Sequence, residues 1–310
     1  MHGHLKTINP LNWTETRHIS WPRNLSTLTG GTALARNVQI EGLGPGGITD
    51  IPWGTHLCLF YETKKEFLEL TVPYLKAGIE ANEFCLWAIP DYVSGHEARA
   101  ALSEVCSKYD RVTLQILSAR EFYGTGNFDR LGTFFENLVT AALANGFNGV
   151  RGCGDGHWLE EPDWKQFGIF EMGGNAGRPA TKLKLKGLCC YPLFASRAGD
   201  LADMAVAHQH TITKRKSEWV TVDPSTFAAI DVSEAVKRTA ALSPRERQVL
   251  EGLLAGHDKR RLASDMGITT RTVESHRARM LDRLKVGTFA EAARIGALAK
   301  SAASSAVSPI

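Results

Sequence analysis

Along this chain the apolar positions change their period twice. Residues 55–61 (THLCLFY), 83–89 (EFCLWAI), 112–117, 149–153, 184–192 and 210–222 are short runs rich in β-branched, aromatic and aliphatic side chains, the pattern of strands buried on both faces. Between them, residues 64–81, 95–109, 128–145, 163–173 and 199–207 carry apolar residues at helical spacing. Pro73 falls inside the first of these helices and predicts a kink or break there. Strands alternating with helices imply an α/β unit with a mainly parallel, helix-covered sheet, and ligands in such sheets bind beyond the carboxyl ends of the strands.

From residue 242 the pattern is helical throughout. Ser243, Pro244 and Glu246 start a helix with three signals at once: a Ser cap, Pro at the first position and Glu closing a capping box. Val249, Leu250, Leu253 and Leu254 form its apolar stripe, and Gly256 stops it. A second helix over 258–266 buries Leu262, Ala263 and Met266, and Gly267 supplies the turn. Thr269 or Thr270 caps a third helix ending near 284, with Val273, Met280, Leu281 and Leu284 inward. Thr288 and Glu291 open a last, Ala-rich helix through a second capping box. The result is a small all-α domain of four helices.

The domain plan is therefore an irregular extension over 1–48, an α/β domain over 49–222, a polar and Ala-rich connector over 223–240, a helical domain over 241–300 and a frayed tail over 301–310. The connector is expected to be part helical. At 310 residues with 43% hydrophobic content the chain has ample length for two cores. No apolar run approaches the ~20 residues needed to cross a bilayer, and no signal-peptide pattern opens the chain, so a cytoplasmic protein with no membrane partner is expected. The six cysteines are then expected to be reduced, and none forms a CxxC pair. Charge is unevenly placed: residues 241–300 carry a net +5 against +3 for the whole chain, so positive charge gathers where a polyanion would dock.

The helical domain resembles the LuxR/GerE family of helix-turn-helix domains. The resemblance rests on Leu242, Ser243, Arg245, Glu246, Val249 and Leu250, then on Arg271, Thr272, Val273, His276, Met280, Arg283 and Leu284. It implies that the third helix enters the major groove, with Glu274, Ser275, Arg277 and Ala278 facing bases and Lys259, Thr269, Thr270, Arg271 and Arg279 placed for phosphates. Arg261 stands where the family usually has Glu, so any ion pair made by that Glu is missing or reversed. Double-stranded operator DNA is the expected partner, read by a homodimer on two half-sites.

In the α/β domain the chemistry-bearing residues gather near strand ends. His56 and Cys58 share a strand face, Cys153, Asp155 and His157 follow another strand, Cys189 and Cys190 lie on a third, and His208 and His210 precede the last. Convergence of these groups would suit zinc, copper or haem, with His56, Cys58 and His157 as metal candidates. The bland alternative is a set of hydrogen-bonded core histidines beside buried thiols. No GxxxxGK[ST] loop or GxSxG elbow is present, and no acidic pair precedes a strand-end Asp and Lys as in phosphorylated receivers. No enzymatic activity is expected.

The segment 53–222 resembles the methanogen/methylotroph sensory domain, MEDS, through residues 54–61, Gly78, residues 82–87, Arg151, Trp158, Glu171, Asn175 and residues 187–191. That family looks like a degenerate relative of the RecA/KaiC ATPase fold. The resemblance implies sensing of a small hydrocarbon-derived or related molecule, with His56, Cys58 and Cys189 on motif positions; Cys153 and His157 complete the candidate sensing set. The whole chain then reads as a one-component, effector-responsive DNA-binding transcription regulator. A metal- or haem-dependent redox or gas sensor is the alternative, followed by an enzyme-like sensor fused to a DNA reader. No cofactor is required by the residues themselves.

Overall fold

The computed structural model describes residues 48, 51–106, 113–123, 129–159, 167, 171, 183–193, 198–215, 218–222 and 231–305, and elements are numbered among these. The N-terminal extension, apart from residue 48, and most of the helix expected at 163–173 lie outside them. The strands are β1 His56–Tyr61, β2 Phe84–Ile89, β3 Leu114–Ser118, β4 Val150–Asp155, β5 Leu185–Pro192, β6 His210–Arg215 and β7 Glu218–Val222. They form one sheet in the order β3-β2-β4-β5-β1-β6-β7. Every pairing is parallel except β6 with β7, which closes one edge as an antiparallel hairpin.

Helices α1 Lys64–Glu80, α2 Gly95–Ser103, α3 Ala119–Tyr123, α4 Asp129–Ala144 and α5 Ala198–Ala207 accompany the sheet. One face carries Leu57, Leu59, Tyr61, Cys85, Trp87, Cys153, Leu188 and Cys190 against α1 and α2. The other carries Cys58, Phe60 and Ala88 against Leu201, Met204 and Trp158, with Phe84, Leu86 and Val150 packed on α4. Pro73 does not break α1, which runs 17 residues from a Thr63 cap. The burial of Phe67, Leu70, Tyr74 and Leu75 on the sheet outweighs the ~3 kcal/mol that an interior proline costs. Helix α2 ends at Ser103 with Glu104 as its cap, short of the expected 109, although Cys106 still buries on the stripe of Ala98 and Leu102. Helix α3 was not foreseen, since five residues are too few to show a period.

A buried ion pair ties this layer together. Glu83 accepts from Arg151 Nε at 2.5 Å and from Lys186 Nζ at 2.7 Å, while Arg151 also reaches the Tyr74 carbonyl at 3.2 Å. Gly78 makes room: a Cβ there would stand 2.7 Å from both Arg151 Cδ and Cys85 Sγ. The family-motif positions Gly78, Glu83 and Arg151 thus serve the packing of α1 on β2 and β4.

The C-terminal domain comprises α6 Val232–Ala240, within the connector, then α7 Pro244–Leu254, α8 Lys259–Met266, α9 Thr270–Leu284 and α10 Phe289–Ser305. Both capping boxes form. Ser243 accepts from Glu246 N–H and returns its own N–H to Glu246 Oε2, and Thr288 and Glu291 do the same. Gly267 takes the left-handed conformation at the end of α8, and Thr269 caps α9. Glu246 is buried beside the Arg283 guanidinium, with Nε at 2.9 Å. Burial opposes its charge, but the Ser243 N–H and hydroxyl with Arg283 and Arg279 hold the carboxyl below its ordinary range. Arg261 pairs within its own helix with Asp265 at 3.2 Å, so the domain closes without the family's Glu. Residues 301–305 continue α10 where a frayed tail was expected. No described helix is long and apolar enough to cross a membrane.

Replacing Ser243 with Ala removes one half of the capping box and is expected to destabilise the C-terminal domain by about 1 kcal/mol. A urea midpoint unchanged from wild type would contradict that role.

Candidate functional site

The side of the sheet that faces α3 and α4 is hollow because three of its residues have no side chain. Gly152 and Gly154 point the same way from β4, and register places Gly187 of β5 beside Gly152 and Cys189 beside Gly154. The hollow is a cavity of about 110 Å³. Its walls are Phe122 and Tyr123 of α3, Phe135 of α4, Leu86 and Ala88 of β2 and Leu185 of β5. The glycines are not equivalent. A Cβ on Gly154 would collide with the Tyr123 hydroxyl, one on Gly187 would meet His56 Cδ2 at 3.0 Å, and one on Gly152 would find nothing nearer than 3.9 Å. Clefts beyond strand ends, as expected, are present too: one of about 260 Å³ at β2 and β3, lined by Asp91, Arg99 and Ser118, and one of about 210 Å³ beyond β1 and β5, lined by Glu62, Leu193 and Arg277. The apolar, glycine-floored cavity is the better small-molecule site, since aromatic walls with a few convergent polar groups are what such ligands require.

Those polar groups meet at one end. His56 Nε2 lies 3.1 Å from Cys189 Sγ and 3.2 Å from Glu171 Oε2. His208 Nε2 is 3.6 Å from the same carboxylate oxygen, and the two imidazoles stand with ring centres 4.1 Å apart. Three of the four, His56, Glu171 and Cys189, line the cavity. Burial and the neighbouring His56 depress the His208 pKa well below the ordinary imidazole value, so it is neutral. Burial, followed by the Glu171 charge, raises the Cys189 thiol, which in this environment keeps its proton.

The structure divides the five sensing candidates. His56 and Cys189 come together. Cys58 lies one step along the same face, in register with Cys189, fully buried and outside the four-donor group; burial and Glu171 raise its pKa too. Cys153 faces the opposite side, 3.8 Å from Cys190 Sγ in the core under α1 and α2. His157 is at the carboxyl end of β4, whereas His56 is at the amino end of β1, so the set His56, Cys58 and His157 does not converge. Glu171 stood only as a motif position of the resemblance, and His208, though one of the strand-end groups whose convergence would suit a metal, was in neither the sensing nor the metal candidate set. They lie 37 residues apart in sequence, one in a segment with a weak helical pattern and one in the turn before β6, and only folding joins them to His56.

At the carboxyl ends a second network forms. Tyr61 donates to Asp155 Oδ2 at 2.5 Å and contacts the Tyr92 hydroxyl, while His157 Nδ1 stands 2.8 Å from Asp155 Oδ1 and its Nε2 is 3.2 Å from Asp91 Oδ2. Burial disfavours charge on His157, but the carboxylates of Asp155 and Asp91 outweigh it and raise its pKa above 6.5.

On α9 the expected DNA-facing side chains Arg271, Glu274, Ser275, Ala278 and Arg279 are exposed, as are Lys259, Thr269 and Thr270. Lys259 and Glu274 pair at 3.0 Å, and Arg279 leans on the Ser275 carbonyl at 3.2 Å. Arg277 differs. It is half-buried, donating from Nη1 to Glu62 Oε2 at 2.6 Å and from Nη2 to Glu62 Oε1, with its guanidinium 3.1 Å from the Phe289 ring centre. Glu62 directly follows β1.

With this geometry established, the sequence can be set beside known families. Residues 55–209, half of the chain, match the model of the MEthanogen/methylotroph, DcmR Sensory domain, and residues 240–295 match that of the bacterial regulatory proteins of the luxR family. The chain belongs to the MEDS family and carries a luxR-family helix-turn-helix domain. Among curated proteins it is similar to the transcriptional regulatory protein FixJ of Azorhizobium caulinodans, 46% identical over 67 residues, which is 22% of this chain and 32% of that protein. FixJ of Bradyrhizobium diazoefficiens is 34% identical over 73 residues, 24% of this chain and 36% of that one. The tetrathionate response regulatory protein TtrR of Salmonella typhimurium is 36% identical over 67 residues, covering 22% and 32%. The chain thus spans about a third of the length of these relatives. A solved full-length FixJ from B. japonicum, covering 80% of this chain and 98% of that one at 18% identity, superposes with a TM-score of 0.22, too distant to bear on the fold.

Two outcomes test the site's geometry. Gly152→Ala should be neutral or stabilising by up to about 1 kcal/mol, because its methyl enters empty space, whereas Gly154→Ala should destabilise by about 1–3 kcal/mol through Tyr123. Equal urea midpoints for the two variants would contradict the floor described. The raised pKa of His157 also fixes a sign. Its carboxylate contacts contribute fully below the unfolded value near 6.5 and fade as pH rises through the higher folded value. The melting-temperature gap between wild type and His157→Gln should therefore be wider at about pH 6 than at about pH 9, and a gap that widened with pH would refute the assignment.

Proposed function

We propose that this protein is a one-component transcription regulator in which a small organic effector enters the glycine-floored cavity and controls operator binding by α9. The observation that carries this reading is the Arg277–Glu62 pair, because it joins the base-facing side of α9 to the end of β1. An arginine held by two hydrogen bonds to a carboxylate is not available to a guanine edge. The conformation described is then one of low operator affinity, and effector binding shifts the population toward a form in which Arg277 is released. The path is short: β1 supplies His56 to the cavity at one end and leads to Glu62 at the other.

The cavity limits the effector. At about 110 Å³ it is smaller than the ~150 Å³ cavity known to hold benzene, so it suits a molecule of a few heavy atoms with apolar character. This size supports the small hydrocarbon-derived class that the MEDS resemblance implies. The regulator acts as a cytoplasmic homodimer, since a single α9 touches few base pairs and two half-sites multiply specificity.

Glu62→Ala is expected to raise affinity for an operator selected from random-sequence DNA without effector. Arg277→Ala should cost about 1–3 kcal/mol of binding and relax preference at one base position. Affinity should also fall steeply with salt. Weaker binding by Glu62→Ala, measured by fluorescence anisotropy, would overturn the low-affinity reading of the pair, and full affinity in Arg277→Ala would overturn the placement of α9.

A further inference from the structure

At the polar end of the cavity one buried nitrogen, on His208, is left unsatisfied by hydrogen bonding among the described residues. His208 Nδ1 lies 2.6 Å from the Met204 carbonyl, which can only accept, so the proton is on Nδ1 and Nε2 is a bare lone pair. That nitrogen is fully buried and makes no hydrogen bond among the described residues. The polar atom it faces, Glu171 Oε2 at 3.6 Å, is itself an acceptor. A buried lone pair aimed at a carboxylate is costly unless something electrophilic lies between them. The neighbouring groups are of the kind that would hold it: His56 Nε2, Cys189 Sγ, Glu171 and His208 Nε2 all lie within 4.8 Å of one another.

We propose that His56, Glu171, Cys189 and His208 form a binding site for one divalent transition-metal ion of the zinc class. The donor set, two imidazole nitrogens, one sulfur and one carboxylate oxygen, matches borderline ions and excludes magnesium and calcium, which demand oxygen throughout. The spacing fits. Bond lengths of ~2.0–2.3 Å in a tetrahedral site put donor atoms about 3.3–3.8 Å apart. Three of the six pairs stand at 3.1, 3.2 and 3.6 Å and the others within 4.8 Å, so adjustments of up to about an ångström close the site. The Met204 carbonyl supplies the outer contact that orients a metal-binding histidine. Gly187 contributes as well, since any side chain there would press on the His56 ring. The four ligands come from β1, β5, the turn before β6 and the segment around 171, so the ion would fasten the sheet to the wall of the cavity. Because three of them line that cavity, an effector bearing an oxygen, sulfur or halogen donor would reach the ion only by replacing one of the four ligands or by adding as a fifth. That last step rests on the cavity being the effector site; the metal site does not.

The test uses full-length protein, purified without chelators and free of DNA, with zinc(II) and cobalt(II) as probes. One ion per chain is expected by mass spectrometry of the metal content, and the cobalt form should show a thiolate charge-transfer band in the near ultraviolet with intense tetrahedral bands in the visible. Loss of even an outer-shell partner weakens metal sites by about 10–100-fold, so Cys189→Ala should lower cobalt affinity at least about 100-fold and abolish the charge-transfer band. His56→Gln, at a partly exposed position, should lower affinity by a similar factor. Cys153→Ala, on the other face, should change neither. Absence of a stoichiometric ion, or a charge-transfer band that survives Cys189→Ala, overturns the proposal. Operator affinity measured on the same samples separates the two readings: a metal-free protein that still binds DNA loses the metal site alone.

Discussion

Three side chains that are not there shape the sensory domain. A parallel sheet buried on both faces normally fills each face with branched and aromatic residues, and here α1 and α2 cover one face in that way. On the other, Gly152, Gly154 and Gly187 leave the centre of β4 and β5 bare, and α3 and α4 bridge over it without filling it. The hollow persists because its rim is stiff. Tyr123 stacks on Trp158 with ring centres 5.3 Å apart, and the same tyrosine sits where a Cβ of Gly154 would go. A protein interior is close-packed, so a cavity bounded by such contacts is a place where a ligand can supply the missing dispersion.

The buried Glu83, Arg151 and Lys186 group acts as a frame for that hollow. Arg151 and Lys186 belong to the strands that carry the glycines, but their side chains point to the opposite face and meet Glu83 beside β2. Removing either partner would strand a charge in the core, which is far more costly than the pair is stabilising. The register of β2, β4 and β5, and with it the alignment of the three glycines, is thereby held from behind.

The two domains share one apolar cluster. It runs from Cys58, Phe60 and Met204 through Leu242 and Val249 to Ala292 and Ile295, so the helix-turn-helix domain is packed on the α/β domain and not merely tethered to it. Arg238 of α6 donates to the Leu284 carbonyl at the end of α9 at 3.0 Å, and Arg277 of α9 reaches Glu62 at the end of β1. A change in how β1 or α5 sits therefore meets α9 through packed side chains, which have discrete arrangements and transmit shifts more faithfully than a flexible linker.

Local signals were sufficient for the helical domain. Capping boxes at Ser243 and Thr288, the left-handed Gly267 and the stripe of Val273, Met280 and Leu284 are each decided within a few residues, and so they could be read directly from the chain. The alternation of strands and helices was equally legible, because burial on both faces writes its own period. What periodicity could not supply was direction and neighbourhood. It could not show that β5 would lie between β4 and β1, that the glycines would align, or that Cys153 would turn away from Cys189, since these follow from sheet order and register. Nor could it join His56 to Glu171 and His208, which are 115 and 152 residues further on. The sequence by itself determined the longer elements and the family they belong to, because helix caps and burial patterns are local physics, whereas the five-residue α3 carried no period to read. Only the tertiary structure decided which side chains share a site, because that depends on the long-range order of strands that no short window of sequence contains.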